Sequence, residues 1–513
     1  MLRTDTDATG AGWRVTPLVT IGETIHGYTP PGILDGVGVF AKDERTIRVL
    51  VNHELKPGNG SPYELAGGLQ LRGARISYFD VDTHTLEIGN AGVAYDTVYD
   101  RNGKIVTEAR QINRTDNGID GIARLCSAVA VRAGEYGFVD DVFFAGEELG
   151  RTFHGRGGTA WALDVERGDL WAVPAMGRAA FENVAPLDTG TPEHVALLIG
   201  DDRDAAPLYL YVGHKNARGD GSFLDRNGLA AGQLYAWRSL AGDRTPEDFH
   251  GSGESRDGVF VELHARDETK AGTPGHDRAG YLDATALRAL AAGRGAFAFA
   301  RPEDVHTNPA DGRQAVFAAS GLGKKFPSDN WGTVYVVDVE FPGLASPASG
   351  EADARQIRAR VAVVHDADSL AVPDSGIRNP DNLVWARDGF IYVQEDRATY
   401  PASLFGAATH VEASIWQLDP RSGATGRIAE IDRLAVAPRD ATDSSAGSFA
   451  SWESSGIVDV SDLFAAEPGE TVLIATVQAH GIKDGSIGGN LHLTEGGQLV
   501  VLENRPPRPA HAH

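Results

Sequence analysis

The sequence predicts an all-β fold, a six-bladed β-propeller with inserted loops and a short helix, and three observations carry that expectation. Helical periodicity is scarce along the 513 residues. Glycine (62) and proline (25) are abundant, which favours turns and short strands. A paired unit also recurs about six times: a hydrophobic strand with a small, polar or acidic exit, then an aromatic-rich hairpin.

The units follow in order. TIRVLVNHEL (46–55) leads to ARISYFDVDTHTLEIG (74–89), and DVFFAGEELG (141–150) to GTAWALDVERGDLWAV (158–173). VALLIGDD (195–202) precedes GQLYAWRS (232–239), and QAVFAASG (314–321) precedes GTVYVVDVE (332–340). GFIYVQED (389–396) is followed by ASIWQLDPRSGATGRI (413–428), and TVLIATVQAH (471–480) by GQLVVLE (497–503). Spacing is uneven, so one propeller domain over 1–513 carries insertions near 215–230 and 241–293. The clearest helix is YLDATALRALAAG, Tyr281 to Gly293, with Asp283 as N-cap before an Ala/Leu run. A β-sandwich pair is the competing fold, but six paired units exceed what one sandwich needs.

Lys and Arg number 47 against 71 Asp and Glu, a net charge of −24. That repels a nucleic-acid backbone and is compatible with hard cations, whose ligands are carboxylates; for the charge alone a solvated acidic surface is the favoured reading. No run of about 20 apolar residues offers a membrane span, and the opening MLRTDTDATGAGW lacks the apolar core of an export signal. The single cysteine, Cys126, excludes an internal disulfide.

In a propeller the innermost strand of each blade lines a central channel, and the hydrophobic strands are expected to be those strands. Acids at their exits would converge on one point, where repulsion and burial penalise unpaired charge and bound cations relieve it. Glu54, Glu147 with Glu148, Asp201 with Asp202, and Glu395 with Asp396 stand at such exits. Each alone reads as a turn residue; their repetition points to a cation site. ARPEDVHTNP and RNPDNLVWARDG set Glu303 and Asp381 after a proline that fixes their approach. Arg301, two residues from Glu303, is either a phosphate clamp beside metal-bound carboxylates or half of a local ion pair. GRAAFENVAPLDTG adds Arg178 and Glu182, on spacing alone an ordinary surface loop. His480, in VQAHGI, is the histidine best placed for an inner face, although a hydrogen-bonded core residue is the simpler reading. No HExxH, nucleophile elbow or phosphate-loop lysine is present. Cys126 reads as a small buried hydrophobe, a nucleophile without a locatable partner, or a metal ligand; as a ligand it would bring a transition metal into an otherwise calcium-like site.

The order of these pieces resembles the PhoX-type alkaline phosphatases, an exported bacterial family. They are NHEL, the segment with the lone cysteine, GEEL, GR…FEN, IGDD, ARPED, NPDNL…DGFIYVQED and SGIVDVSDLF…LIATVQAH, from about VNHEL to the C-terminus. The resemblance implies a propeller with a phosphate-hydrolysing site on its axis and a cluster of calcium and ferric ions tied to carboxylates and one cysteine. Carried over by motif, Cys126 is the iron ligand, and Glu54, Glu147 or Glu148, Glu182, Glu303, Asp381 and Glu395 are metal ligands. Arg301 and Glu303 serve catalysis, and Arg301 and Arg178 hold the substrate phosphate. The chain departs from the family pattern around its cysteine, RLCSAVAV, and has no aromatic residue shortly after the Glu182 motif.

The expected activity is hydrolysis of phosphate monoesters by a monomeric, periplasmic or secreted enzyme. Its partner would be a small phosphorylated compound, with no nucleic acid and no membrane. The alternatives are a calcium-only propeller hydrolase of phosphotriesters, phytate or lactones, and a non-catalytic propeller scaffold.

Overall fold

The computed structural model describes residues 1–4, 9–112, 120–149, 156–344, 356–489 and 492–505. The architecture is mostly β, as expected. After β1 (Arg14–Thr20) the chain runs through successive antiparallel meanders. The first comprises β2 (Leu34–Ala41), β3 (Thr46–His53), β4 (Arg75–Asp82) and β5 (Ile88–Val93). The second comprises β6 (Leu125–Val131), β7 (Val142–Glu147), β8 (Ala160–Asp164) and β9 (Asp169–Ala172). The third is β10 (Phe181–Leu187), β11 (His194–Asp201), β12 (Tyr209–His214) and β13 (Gly232–Ser239). β14 (Ser255–Leu263) then bridges to the fourth, β15 (Pro302–Asn308), β16 (Asp311–Ala319), β17 (Thr333–Glu340) and β18 (Arg358–Asp366), making one nine-stranded sheet. The fifth is β19 (Pro380–Trp385), β20 (Ile391–Glu395), β21 (Ser414–Leu418) and β22 (Thr425–Ile431). The last, β23 (Glu453–Asp459), β24 (Val472–Ala479) and β25 (Gly496–Glu503), takes its fourth strand from the other end of the chain, because β1 pairs with β25.

The strands form because their residues alternate between two apolar layers. In β7, Phe143 and Ala145 pack with Leu50, Ile76 and Trp161, whereas Val142 and Phe144 pack with Phe181, Leu197 and Tyr211. Successive side chains point to opposite faces, and both faces are covered by neighbouring meanders, so the strand reads as a continuous apolar run.

The first strands of the meanders pack side by side in a ring: β2 on β6, β6 on β10, β10 on β15, β15 on β19, β19 on β23, and β23 back on β2. This corrects one expectation. The hydrophobic strands with acidic exits, β3, β7, β11, β16, β20 and β24, stand second in their meanders and are hydrogen-bonded on both sides. That position is the driest, which is why their sequences are the most apolar.

The predicted helix is present as α1 (Ala284–Gly293), and Asp283 caps it by accepting from the Ala286 N–H at 2.8 Å. The region 241–293 is therefore no plain loop, since it also contains β14. No helix among the described residues is long and apolar enough to cross a membrane.

Candidate metal centre

The first strands begin with a shared irregularity. Leu34 pairs with His53, Leu125 with Glu147, Phe181 with Asp201, Pro302 with Ala319 and Pro380 with Glu395, and directly afterwards the register slips. Such a bulge bends a strand and re-aims a side chain. The side chains at the slip are Asp35, Cys126, Glu182, Glu303 and Asp381, and all line one cavity of about 490 Å³. In the last meander Glu453, paired with Gln478, takes the corresponding place on the wall.

A second row comes from the residue after the second strand: Glu54, Glu148, Asp202 and Asp396. Their backbone N–H groups donate to the carbonyls of Ile33, Arg124, Ala180 and Asn379 at 2.9, 3.0, 3.0 and 3.1 Å. Ile33, Arg124, Arg301 and Asn379 immediately precede their first strands with φ of 50°, 41°, 61° and 45°. Left-handed backbone costs a non-glycine residue about 1–2 kcal/mol, and such strain gathers at functional sites. Here it places Arg124 and Arg301 at equivalent positions, both on the cavity wall.

The carboxylates form two tight groups. Ligand atoms of Asp35, Glu54 and Cys126 lie within 4.8 Å of one another, and so do those of Glu182, Glu303 and Asp381. The Cys126 thiol donates to Asp35 Oδ2 at 3.4 Å, and Gln478 Nε2 donates to the same oxygen at 2.9 Å. Asn52 Nδ2 holds the bulge at Cys126 by donating to the carbonyls of Cys126 (2.8 Å) and Ser127 (3.1 Å). Burial, and then the neighbouring acids, push Asp35, Cys126, Glu182 and Asp381 well above their ordinary pKa values.

Two arginines oppose this charge. Arg124 bridges Glu54 and Glu148. Arg301 grips Asp202 with two bonds, 2.7 and 3.0 Å, and lies 3.0 Å from Glu303. Burial works against the Asp202 charge, but Arg301 outweighs it and holds that carboxyl down at about 2. At the rim His480 bonds Glu495 at 2.5 Å and sits 3.7 Å from Glu453. Although burial opposes it, these two acids raise His480 well above its usual range, and Lys483 joins Glu495 at 2.8 Å.

Of the residues singled out in the sequence, Cys126, Glu54, Glu148, Glu182, Glu303, Asp381 and Arg301 meet in this cavity. Three do not. Glu147 turns away and accepts the N–H groups of Ala123 (3.1 Å) and Thr159 (3.0 Å), and burial pushes it up to about 8. Glu395 is buried in a two-pronged pair with Arg378, at 3.0 Å to Nε and 2.7 Å to Nη2. Arg178 faces Asp277 and the Gly157 carbonyl instead of the cavity. Sequence reasoning did not single out Asp35, Glu453 and Arg124 for the site; Asp202 and Asp396 stood among the strand exits that pointed to a cation site, and His480 was the histidine best placed for an inner face. One signal could have found Asp35: like Cys126, Glu182, Glu303 and Asp381 it opens a strand and is followed by a small or polar residue.

Comparison with known proteins fits this picture. The family model described as alkaline phosphatase PhoX matches residues 168–419. A search of curated proteins finds no match. Among solved structures, the chain resembles Pseudomonas fluorescens PhoX in complex with vanadate, a transition state analogue. That likeness has a TM-score of 0.59 at 16% identity, over 96% of this chain and 95% of that one; it speaks for the fold. An exo-β-1,3-galactanase from Phanerochaete chrysosporium aligns over 97% of both chains at 10% identity, but its TM-score of 0.35 carries no argument.

Proposed function

Because this chain belongs to the alkaline phosphatase PhoX family, we propose that it hydrolyses phosphate monoesters at a calcium and iron centre on the axis of a six-bladed, single-domain propeller. The enzyme class is phosphoric monoester hydrolase. The ring of first strands supports the propeller reading. The observation that carries the activity is the convergence of two acidic ligand groups with two arginines in one cavity.

The donor sets fit two kinds of metal. Glu182, Glu303 and Asp381 offer only carboxylate oxygen, which suits calcium. Asp35, Glu54 and Cys126 add a thiolate, too soft for calcium and suited to iron. Asp35 Oδ1 and Glu182 Oε1 are buried without a hydrogen-bond partner, and a cation would satisfy both. Glu148, Asp396 and Glu453 line the same cavity and offer further carboxylate oxygens. Bound metals would supply Lewis-acid polarisation of the phosphate and offset its charge.

The protein's own groups bind and orient. Arg124 and Arg301 present N–H donors from two sides of the cavity to the equatorial oxygens of a phosphate, where charge develops. Asp202 fixes the plane of the Arg301 guanidinium, and Glu303 shares it. His480, Lys483 and Lys56 form a cationic rim that draws in a phosphate dianion. A small phosphorylated substrate, a monomeric state and a periplasmic or secreted location belong to the same reading.

Elemental analysis beside p-nitrophenyl phosphate turnover tests it. Wild type should hold both calcium and iron. Cys126→Ala should lose iron and its visible absorption, and activity should fall by at least about 100-fold, as for loss of a metal-supporting group. Active protein containing neither metal would sink the proposal. Full activity in Cys126→Ala would instead mark a calcium-only hydrolase.

A further inference from the structure

Three aspartates away from the axial cavity have, among the described residues, no lysine or arginine partner. Asp329 sits in the turn before β17, Asp366 ends β18, and Asp368 follows it. Asp329 and Asp366 are both fully buried. Thr333 pairs with Asp366 across the β17–β18 ladder, and its hydroxyl donates to Asp329 Oδ1 at 3.2 Å, so the two carboxylates meet at one end of that ladder. The Trp331 N–H donates to Asp368 Oδ2 at 2.8 Å.

Three oxygens at this place are buried with no hydrogen-bond partner: Asp329 Oδ2, Asp366 Oδ1 and the Tyr335 hydroxyl. The other Asp366 oxygen is occupied by the Gly251 N–H and the Ser369 hydroxyl, both at 2.8 Å. Among the described residues no lysine or arginine pairs with any of the three aspartates, and His250 stands near Asp368. Burial, and after it the charges of Asp368 and Asp366, push Asp329 well above the carboxylate range. Buried carboxylates without a partner are costly, and proteins resolve the cost with protons or with cations.

We propose that Asp329 and Asp366, with the Tyr335 hydroxyl and with Asp368 nearby, form a second hard-cation site, separate from the axial centre, that takes calcium. The oxygens of the three aspartates do not all fall within the 4.8 Å that unites each axial group. At calcium's usual Ca–O distance of about 2.3–2.6 Å one ion therefore cannot touch all three aspartates as they stand, so Asp368 lends charge from beside the ion, and main-chain carbonyls and water complete the shell of about 6–8 oxygens. The site would brace the axis. Asn379 donates from its N–H to the Trp331 carbonyl at 2.5 Å and from Nδ2 to the carbonyls of Asn330 (3.1 Å) and Ser320 (2.6 Å). Asn379 leads directly into Pro380 and Asp381, and the Ser320 hydroxyl donates to Glu303 Oε1 at 2.5 Å. Two axial carboxylates thus depend on the loop this cation would set.

The test counts calcium per chain by equilibrium dialysis in wild type, Asp329→Asn, Asp366→Asn and Glu182→Gln. Each aspartate variant should bind one calcium fewer than wild type. Glu182→Gln should lose axial metal and turnover yet keep this calcium, so failure of the phosphatase reading and failure of this one are told apart. If both aspartate variants bind as much calcium as wild type, the cluster is a set of protonated carboxyls and the proposal falls. Terbium covers the case in which those variants misfold. Excitation of tryptophan should sensitise terbium emission in wild type, and Trp331→Phe should remove that emission with the calcium count retained. Unchanged emission in Trp331→Phe would likewise overturn the site.

Discussion

The acidic doublets divide two tasks between neighbours. Successive strand residues face opposite ways, so Glu147, Asp201 and Glu395 turn back to bind N–H groups ahead of their own first strands, at Ala123, Ala180 and Arg378. Glu148, Asp202 and Asp396 face the cavity. Glu148→Gln should therefore lower p-nitrophenyl phosphate turnover by roughly 100-fold while leaving the urea midpoint near that of wild type. Glu395→Gln should do the reverse. It leaves buried Arg378 with Asp374, at 3.3 Å, as its remaining charge partner, a loss of about 3 kcal/mol, and should leave the metal content unchanged. The doublets were plain in the sequence. Which member faces the axis was not, because a slip of one residue exchanges the two and only the ladder fixes the register.

At the scale of elements, the bulges position the chemistry. The second strands were legible because burial on both faces leaves a continuous apolar run, and α1 was legible from its Asp283 cap. The first strands were not. LDGVGVFA and LCSAVAV are short, rich in small residues and broken by a register slip, so no regular period marks them. That irregularity is also why the axial strands were assigned to the wrong member of each pair. Asn52 tests the role of the bulge, since it reaches from β3 to two carbonyls around Cys126. Asn52→Ala should cost about 1–3 kcal/mol for the two buried carbonyls left unsatisfied. It should also reduce iron occupancy, read as visible absorption per chain, more than calcium content. Equal loss of both metals would mean the bulge does not position the sulfur alone.

For the whole molecule, the axis stores repulsion that cations would release. In the cavity burial, and after it neighbouring acids, push Asp35, Glu182, Glu303 and Asp381 up, and outside it burial alone pushes Asp304, next to Glu303, up to about 6 and Glu147 up to about 8. A group with a raised folded pKa stabilises the fold below its ordinary value, and that contribution is lost as pH rises through the folded one. Chelated protein should thus melt roughly 5–10 °C lower at pH 8 than at pH 5, and added calcium should recover more of the loss at pH 8. A melting temperature indifferent to pH after chelation would contradict this. The pairing of β1 with β25 adds a matter of timing. β1 must wait for β25, 489 residues on from Arg14 to Glu503, before it finds its partner. Every meander contributes a side chain to the cavity, so a nascent chain would offer ions only partial shells, and metal loading would be the closing step of maturation.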